Sequence, residues 1–391
     1  MSAKTGIQWT ESTWNPIVGC TKVSAGCDRC YAIRTAHRMA AHPNPKVAEA
    51  YSGTERAGEW TGQVNVLADR FDQPFRWRKP RKIFVNAQSD LFHRNVSDEI
   101  VAKVFAVMAL TPRHTYQILT KRHGRMRALL GDGAFHWKVW HALLTVTHEM
   151  GLPMPEEVTT HFAGGATVTV TATMTPLPNV WVGVSVEDQA TAVRRIPALL
   201  ATPAAVRWIS CEPLLGPVAL CRCAGGDVDV AAGVSPAGPG WCPIHGAVRV
   251  DWVVCGGESG PGARPVHPDW VRSLRDQCAA GGVPFFFKQW GDVLPVELRD
   301  AAGMAGGRAF QHPQGGVMAP VIRLRGPSGT FRAGETRPVR PGERTRGGLV
   351  GIDEQWIGVT VGKARAGDLL DGTRHHAWPT PPPAGPGGSA S

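Results

Sequence analysis

Three cysteines, Cys20, Cys27 and Cys30, lie close together near the start of the chain, with the spacing C-x6-C-x2-C. The residues between them, TKVSAG and DR, are polar and typical of turns, so burial in a hydrophobic core does not account for them. Thiolates at such spacing bind zinc or an iron–sulfur cluster, and both centres normally take four ligands. A zinc site would need a fourth ligand from a distant His or Cys, whereas a cluster with three ligands would keep one iron open for a small molecule.

A second group of metal-binding residue types lies in a Gly- and Ala-rich segment, residues 217–250, and spells C-x-C followed by C-x2-H. Four such ligands predict a small structural zinc site, although C-x-C is an unusual zinc spacing. Cys211, Cys255 and Cys278 lie within apolar patterns and are expected in the core. The four candidate zinc ligands are Cys221, Cys223, Cys242 and His245.

Short apolar runs alternate along the chain with segments whose apolar residues recur at helical spacing. The segment KIFVNAQSD (82–90) predicts a buried strand, and SDEIVAKVFAVMAL (97–110) predicts a helix with Ser97 as its N-cap. Such alternation indicates a parallel sheet covered by helices. Because no G-x-G-x-x-G turn is present, we expect an α/β fold, as a full or partial (β/α) barrel. The other predicted strands lie in 6–19, 114–122, 179–188, 206–214, 251–260 and 283–291.

Polar side chains follow these strands at their carboxyl ends, which is the end where a β/α barrel carries its active site. The pattern recurs on six strands, so it favours one shared pocket. The cysteine loop follows the first predicted strand and would face the same pocket, a position that favours an iron–sulfur cluster over a structural zinc. The strand-end residues are Asn86, Gln88, Ser89, Asp90, Thr120, Lys121, Ser185, Glu187, Asp188, Glu212, Glu258, Ser259, Lys288 and Gln289.

The bulk composition bears on partners and compartment. The 391 residues are 43% apolar and carry a net charge of +10, which suits nucleic acid or an anionic cofactor as a partner, and equally a solvated basic surface. No apolar run reaches the roughly eighteen residues of a membrane span, and the opening MSAKTGIQWT lacks the apolar core of a signal peptide. We therefore expect a cytoplasmic protein that does not enter a membrane and keeps its thiols reduced.

The predicted organisation has three parts. Residues 1–291 are expected to form the barrel core, with insertions at 132–178 and 217–250; the first insertion contains the alternating stretch ATVTVTATMT, which predicts an accessory hairpin. Residues 292–375, rich in Gly, Pro and Arg, are expected to form an irregular extension over the barrel. Residues 376–391 are expected to form a disordered tail.

Several blocks of this sequence, in this order, resemble the phage Gp37/Gp68-like family (DUF5131). The three clustered cysteines in the first β/α unit also resemble the radical S-adenosylmethionine (SAM) superfamily. The blocks that carry the family resemblance are IQWTESTWNPIVGCTKVSAGCDRCYA, QSDLFH, ILTKR, NVWVGVSVEDQ, CEPLLGP, GGESGPGARPVHPDWVRSLRDQC, PFFFKQWG and VGKARAGDLLDG.

The superfamily resemblance implies that Cys20, Cys27 and Cys30 hold a [4Fe-4S] cluster whose open iron is chelated by SAM. Reductive cleavage of SAM would give a 5′-deoxyadenosyl radical that abstracts a substrate hydrogen. The usual spacing there is C-x3-C-x2-C, so the six-residue gap of this chain requires a wider loop. An electron donor such as flavodoxin or ferredoxin is implied as a partner.

The same resemblance implies where SAM binds. Asn86, Ser89 and Asp90 stand where many of these enzymes have a G-G-E-like segment that binds the SAM amino group. Ser185 and Glu187, in GVSVED, look like the later strand that approaches SAM. Backbone N–H groups of the glycine-rich turn GGESGPGARP could hold a carboxylate or phosphate. The turn residues assigned to the cofactor are Gly256, Gly257 and Glu258.

Two functions follow as hypotheses. The first is a radical SAM-type enzyme, with a nucleic-acid base or nucleotide as a candidate substrate. The alternative is a non-catalytic phage-type protein, stabilised by zinc or a cluster, that binds nucleic acid or another partner. The converging polar residues favour the enzyme, because a binding module needs no such pocket.

Overall fold

The structure is a computed structural model of the chain. It describes residues 5–153, 176–220, 244, 248–297, 344, 349–352, 356–360 and 363–380, and the backbone of the short strands 160–161, 167–168, 310–311, 317–318, 322–326 and 329–333.

Seven parallel strands form the main sheet, and their order in the sheet follows their order in the chain. This order is that of a barrel wound in one direction, and the sheet curls into a half-barrel. The α/β fold with a partial barrel was thus predictable from the sequence. The strands are β1 Ser12–Trp14, β2 Lys82–Val85, β3 Thr115–Thr120, β4 Val180–Ser185, β5 Val206–Cys211, β6 Trp252–Gly256 and β7 Phe285–Gln289.

Helices cover the outer face of this sheet and pack on its apolar side chains. Their starts follow ordinary capping rules: the Ser97 hydroxyl accepts from the backbone N–H of Ile100 at 3.4 Å, and Asp188 forms a capping box with Thr191. The predicted N-cap at Ser97 is confirmed. The helices are α1 Tyr31–Ala40, α2 Pro45–Tyr51, α3 Gln73–Arg76, α4 Asp98–Ala109, α5 His123–Leu130, α6 Gly133–Glu149, α7 Gln189–Leu200, α8 Pro268–Ala280 and α9 Lys363–Ala366. No helix in the described part of the chain is long and apolar enough to cross a membrane.

Aromatic rings fill the inner face of the half-barrel at its amino end, and we call this cluster the aromatic floor. The ring centroids of Trp208 and Trp252 lie 5.4 Å apart, and those of Trp9 and Trp208 lie 5.1 Å apart. Gly183 makes room for this packing, because a Cβ there would lie 2.5 Å from the Trp208 ring. Side chains therefore fill the amino end of the interior. The floor comprises Trp9, Phe84, Trp181, Val206, Trp208, Trp252, Val254 and Phe286.

The segment after α9 returns to the free edge of β7. The backbone N–H of Phe287 donates to the carbonyl of His375 at 2.7 Å, and the N–H of Ala377 donates to that of Phe285 at 3.1 Å. Trp378 then stacks on Trp252 in the aromatic floor, with ring centroids 4.9 Å apart. The predicted start of the disordered tail at residue 376 is therefore too early, because an unpaired strand edge and an aromatic surface hold 375–378 in place. Residues 381–391 lie outside the described residues.

The two predicted insertions are described only in part. Residues 132–178 contain helix α6, which packs on α4, and a short antiparallel pair, Thr160–His161 with Thr167–Val168. The rest of the predicted hairpin lies outside the described residues. The candidate zinc ligands of the second insertion, Cys221, Cys223, Cys242 and His245, also lie outside the described residues.

Residues 292–375 are more regular than predicted. Val293–Glu297 pairs antiparallel with Trp356–Thr360, which in turn pairs with Leu349–Gly351. Alternating apolar residues in short runs such as WIGVT support these strands within a segment whose overall composition suggested loops.

Candidate functional site

A cavity of about 530 Å³ lies above the aromatic floor, at the carboxyl ends of the strands. A volume of this size is ordinary for a site that holds a small-molecule ligand. The structure brings most of the predicted site residues to its wall, but Gly256 and Glu187 are not among the lining residues. The predicted residues that line the cavity are Cys20, Cys27, Cys30, Asn86, Ser89, Asp90, Ser185, Gly257 and Glu258.

The cysteine loop leaves β1 through a short strand, Ile17–Val18, and turns at Gly19. Gly19 has a φ of +95°, and a Cβ there would lie 2.2 Å from the carbonyl oxygen of Gln63, so only glycine suits the position. Cys27 is buried at the end of a one-turn 3₁₀ helix, and Cys30 is the N-cap of α1. The three thiols are free and line the same cavity.

Residues in the six-residue gap between Cys20 and Cys27 are tied to other strands. The Ser24 hydroxyl donates to Oε1 of Glu187 at 2.7 Å, just beyond β4. The carbonyl oxygen of Ala25 accepts from Nη2 of Arg264 at 3.0 Å. A Cβ on Gly26 would lie 2.6 Å from the Cγ of Glu187, so the loop packs directly on that carboxylate. The wider gap is thus accommodated by a loop that reaches across the sheet.

Thr21 provides a further anchor at the start of the gap. Its hydroxyl lies 3.0 Å from Nε2 of His93 and 2.6 Å from Nη2 of Arg122, and its carbonyl oxygen accepts from the same Arg122 nitrogen at 3.2 Å. Burial, and then repulsion from Arg122, lowers the pKa of His93 to about 4. His93 is therefore neutral near pH 7 and takes part in the anchor as an uncharged hydrogen-bonding group.

Glu187, predicted to bind a cofactor, lies behind the cysteine loop and does not line the cavity. Its side chain is fully buried, with Oε2 2.8 Å from Nη1 of Arg195, and it also pairs with Lys121. Burial raises the pKa of Glu187, but Lys121 and Arg195 outweigh that effect and hold the pKa below its ordinary value. With both oxygens engaged by Ser24, Lys121 and Arg195, Glu187 acts as a support for the loop.

Ser89 and Asp90 are also committed to contacts within the protein. The Ser89 hydroxyl donates to the carbonyl oxygen of Ile17 at 2.9 Å. Asp90 accepts from the Thr120 hydroxyl at 2.7 Å and from the backbone N–H of Lys121 at 3.1 Å. These two side chains line the cavity, but the hydrogen bond of Ser89 joins the segment after β2 to the short strand Ile17–Val18, and those of Asp90 join it to the end of β3.

Asn86 differs, because its side chain has free hydrogen-bonding atoms. The residue is only 3% exposed, and neither its amide nitrogen nor its amide oxygen has a hydrogen-bond partner. Its φ of +59° is in the left-handed region, which Asn tolerates better than most residues. A buried and unpaired amide at the cavity wall is the feature expected of a ligand-binding residue.

The glycines of the turn after β6, predicted to offer N–H groups to an anion, make close contacts within the protein. The N–H of Gly257 already donates to the carbonyl of Gln289 at 2.8 Å, and a Cβ on Gly257 would lie 1.9 Å from the carbonyl oxygen of Trp290. A Cβ on Gly256 would lie 2.6 Å from Oε1 of Glu212. The two glycines therefore allow close contact with β7 and leave room for the Glu212 carboxylate.

Glu258 stabilises this turn through ion pairs and hydrogen bonds. Its Oε1 accepts from Nη2 of Arg264 at 2.6 Å, and its Oε2 accepts from the backbone N–H of Arg264 at 2.8 Å. Arg29, from the cysteine loop, lies 3.5 Å from the same carboxylate. Glu258 therefore joins the turn after β6 to the cysteine loop and holds two guanidinium groups at the edge of the cavity.

Burial makes the thiols of Cys20 and Cys30 poor acids. It raises the pKa of Cys20 to about 12, with a further contribution from the Asp90 charge, and it also raises the pKa of Cys30. Arg122 acts in the opposite direction on Cys20, and Lys121 does so on Cys30. Deprotonation of these thiols therefore needs a strong positive partner, such as a bound metal, in addition to the nearby cations. Within the described ranges, no three His, Cys, Asp or Glu side chains are gathered as ligands of one metal ion.

The cavity also contains residues to which no cofactor-binding or metal-binding role was assigned from the sequence. Glu212 accepts from the indole N–H of Trp9 at 3.1 Å, and Nζ of Lys288 lies 2.9 Å from its other oxygen. Glu212 and Lys288 stand at strand ends, so their position was a usable signal. Trp9 precedes the first strand and Lys363 comes from the distant C-terminal part, and no local pattern marked either residue.

Comparison with known proteins gives one match. No curated protein and no solved structure matches this chain. A family model described as "Protein of unknown function (DUF5131)" matches residues 4–379, which is nearly the whole length. The chain therefore belongs to the DUF5131 family.

Proposed function

We propose that this protein is an iron–sulfur enzyme of radical SAM type, with a [4Fe-4S] cluster on Cys20, Cys27 and Cys30. The observation that carries the proposal is the convergence of these three thiols on one cavity, at the carboxyl mouth of a parallel half-barrel. A cavity at this position is where β/α barrels carry out chemistry.

The chemical types of the donors suit such a group, although within the described ranges the three side chains are not gathered as ligands of one ion. Three thiols are soft donors that suit iron–sulfur clusters, and an open fourth position would face the cavity. Lys121 and Arg122 favour the thiolate forms of Cys30 and Cys20, and would offset the negative charge of a thiolate-bound cluster. The anchored loop holds the donors in place, because Thr21, Ser24 and Ala25 are tied to groups outside the loop.

When bound, the cluster would supply the electron that cleaves SAM and starts radical chemistry. The protein's own residues position the bound groups and enclose them. The aromatic floor fills the amino end of the half-barrel, so it would keep solvent from reaching the cavity from that end. Asn86 presents a free amide to the cavity, and so suits the amino and carboxylate groups of SAM.

The test is SAM cleavage. The full-length chain is purified without oxygen, reconstituted with iron and sulfide, reduced and mixed with SAM, and 5′-deoxyadenosine is measured by chromatography. We expect release by the wild type and none by Cys27→Ser. Cys278→Ser is the matched control, since Cys278 is buried in α8 and does not line the cavity, and it should retain the activity.

Two results would contradict the proposal. One is a wild-type protein that carries iron and sulfide but releases no 5′-deoxyadenosine when reduced. The other is release that is unchanged in Cys27→Ser, since this thiol is then not required. A protein that takes up only zinc at the three cysteines would support the alternative of a non-catalytic binding protein.

A further inference from the structure

One wall of the cavity is formed by β5 to β7 and by the start of α9, and we call it the β5–β7 wall. It comprises Ser210, Glu212, Lys288, Gln289 and Lys363. None of these residues supports the cysteine loop through a hydrogen bond or ion pair within the described part of the chain. This wall therefore needs an explanation other than holding the cluster.

Polar atoms on this wall are buried without partners. Ser210 is 1% exposed and Gln289 is 3% exposed, and neither Oγ of Ser210 nor Oε1 of Gln289 has a hydrogen-bond partner. The Gln289 amide nitrogen donates to the Ser259 hydroxyl at 2.9 Å, which fixes the amide so that its oxygen is left free. An unpaired buried polar atom lowers the free energy of unfolding by about 1–3 kcal/mol. The occurrence of two such atoms on one cavity wall therefore indicates a ligand with hydrogen-bond donors.

The charges on the wall are not balanced. Glu212 is held by the Trp9 indole and by Lys288, and Gly256 leaves space for its carboxylate. Lys363, which is exposed, is a second ammonium group near this pair. Burial of part of its side chain, followed by repulsion from Lys288, lowers its pKa, while Glu212 and Asp292 act in the opposite direction. Among the described residues no carboxylate lies within salt-bridge distance of its Nζ, which has a 3.4 Å contact with the carbonyl of Gly6. Lys363 is thus a cation on this wall that can pair with an anion.

We propose that the β5–β7 wall binds a nucleoside phosphate, with its base or ribose donors on Glu212 and Gln289 and its phosphate on Lys363. Carboxylate and amide oxygens accept from amino and hydroxyl groups, and Trp9 and Phe84 offer aromatic surface beside them. Lysine binds phosphate as a point charge, whereas the guanidinium of Arg264, which suits a planar carboxylate, is already paired with Glu258.

SAM alone does not account for this wall. It carries no phosphate, and its carboxylate is expected on the cluster, so Lys363 would stay without a counter-ion. The inference rests on the proposed function, because it names the substrate class of the same cavity. The test measures nucleotide binding without SAM or reductant. Nucleotide binding can therefore be absent in a protein that cleaves SAM, and present in a protein that does not.

The experiment measures binding of the four ribonucleoside 5′-monophosphates, the four nucleosides and inorganic phosphate to the full-length chain by titration calorimetry. We expect at least one monophosphate to bind about tenfold or more tightly than its nucleoside, since a charge-assisted contact contributes roughly this factor. In Lys363→Met this difference should disappear. The matched control is Lys103→Met, which removes the same charge from a pair with Glu149 on the outer helices and should preserve the difference.

A second variant keeps the test decisive if Lys363→Met fails to fold. Glu212→Gln is nearly isosteric and should weaken nucleoside and monophosphate by a similar factor, because it alters the acceptor for the base or ribose. A single-stranded oligonucleotide distinguishes the source: if it alone binds, with the same dependence on Lys363, the nucleoside phosphate is part of a nucleic acid. The inference is overturned if no nucleotide or oligonucleotide binds more tightly than inorganic phosphate, or if both variants bind like the wild type.

Discussion

Replacing Glu187 by Gln tests whether the buried charges behind the cysteine loop hold that loop in place. Glu187 is fully buried and contacts the Ser24 hydroxyl at 2.7 Å and Arg195 at 2.8 Å, and it pairs with Lys121. Gln has almost the same shape, so the substitution removes the charge without opening a cavity. The effect then reports on the ion pairs themselves.

The expected loss in the free energy of unfolding depends on how exposed the cationic partners of Glu187 are. The Arg195 side chain is 4% exposed and would be left buried without a counter-charge, whereas Lys121, at 18%, partly reaches water. Removing one partner of a buried ion pair costs about 3–5 kcal/mol. Because the Ser24 hydroxyl can still donate to the amide oxygen, we expect the lower end, about 3 kcal/mol. In Glu149→Gln, which breaks the exposed pair with Lys103, the free energy of unfolding should fall by no more than about 1 kcal/mol.

The same substitution has a defined pH dependence. Since the pKa of Glu187 lies below its ordinary value of 4.5 in the folded state, its contribution is complete above the unfolded-state pKa and is lost as the pH falls through the folded-state pKa. The difference between the wild type and Glu187→Gln should therefore be constant from about pH 5 to 7 and shrink below about pH 4.

Urea unfolding followed by tryptophan fluorescence measures these differences. The support role of Glu187 also predicts a loss of iron on reconstitution, in parallel with the loss of stability. A difference below about 1 kcal/mol at pH 7, or one equal to that of Glu149→Gln, would refute the reasoning that this carboxylate is a buried support.

Three further substitutions test other parts of the account. Gly26→Ala should lower the iron retained after reconstitution, because its Cβ would lie 2.6 Å from both Glu187 Cγ and Lys121 Nζ; Gly124→Ala, with open space around it, should retain iron like the wild type. Trp378→Ala should lower the free energy of unfolding by roughly 2 kcal/mol, measured in urea, since a half-buried ring leaves the aromatic floor. Glycine tolerates the φ of +59° at position 86, so Asn86→Gly should change the free energy of unfolding by no more than about 1 kcal/mol. The affinity of the reconstituted protein for SAM should fall about tenfold. An unchanged affinity would show that Asn86 does not bind SAM.

The sheet was predictable because several of its strands are apolar along most of their length and are followed by capped helices, as β2, β4 and β6 are. KIFV and VWVGVS, for example, are buried along their whole length or nearly so, and this continuity distinguishes a covered parallel sheet from an exposed one. The tail around Trp378 was not predictable, since a Pro-rich composition carries no information about a distant strand edge and a stack of indoles that it can join.

The position of the cavity was predictable, but the contacts of each side chain were not. Strand-end polar residues marked the edge of the sheet where the cavity lies, and the three cysteines line it with them. Whether a carboxylate faces a ligand or a cation depends on partners far along the chain. Glu187 contacts Ser24 and Arg195, and Asp90 contacts Thr120, whereas the side-chain amide of Asn86 has no hydrogen-bond partner.

If the three cysteines hold a cluster with one iron open to SAM, electron paramagnetic resonance of the reconstituted, reduced protein will detect both the cluster and its contact with SAM. We expect a signal from a reduced four-iron cluster, with about four irons and four sulfides per chain, that shifts when SAM is added and is lost in Cys27→Ser. A signal that SAM leaves unchanged, or one that persists with full iron content in Cys27→Ser, would contradict this expectation.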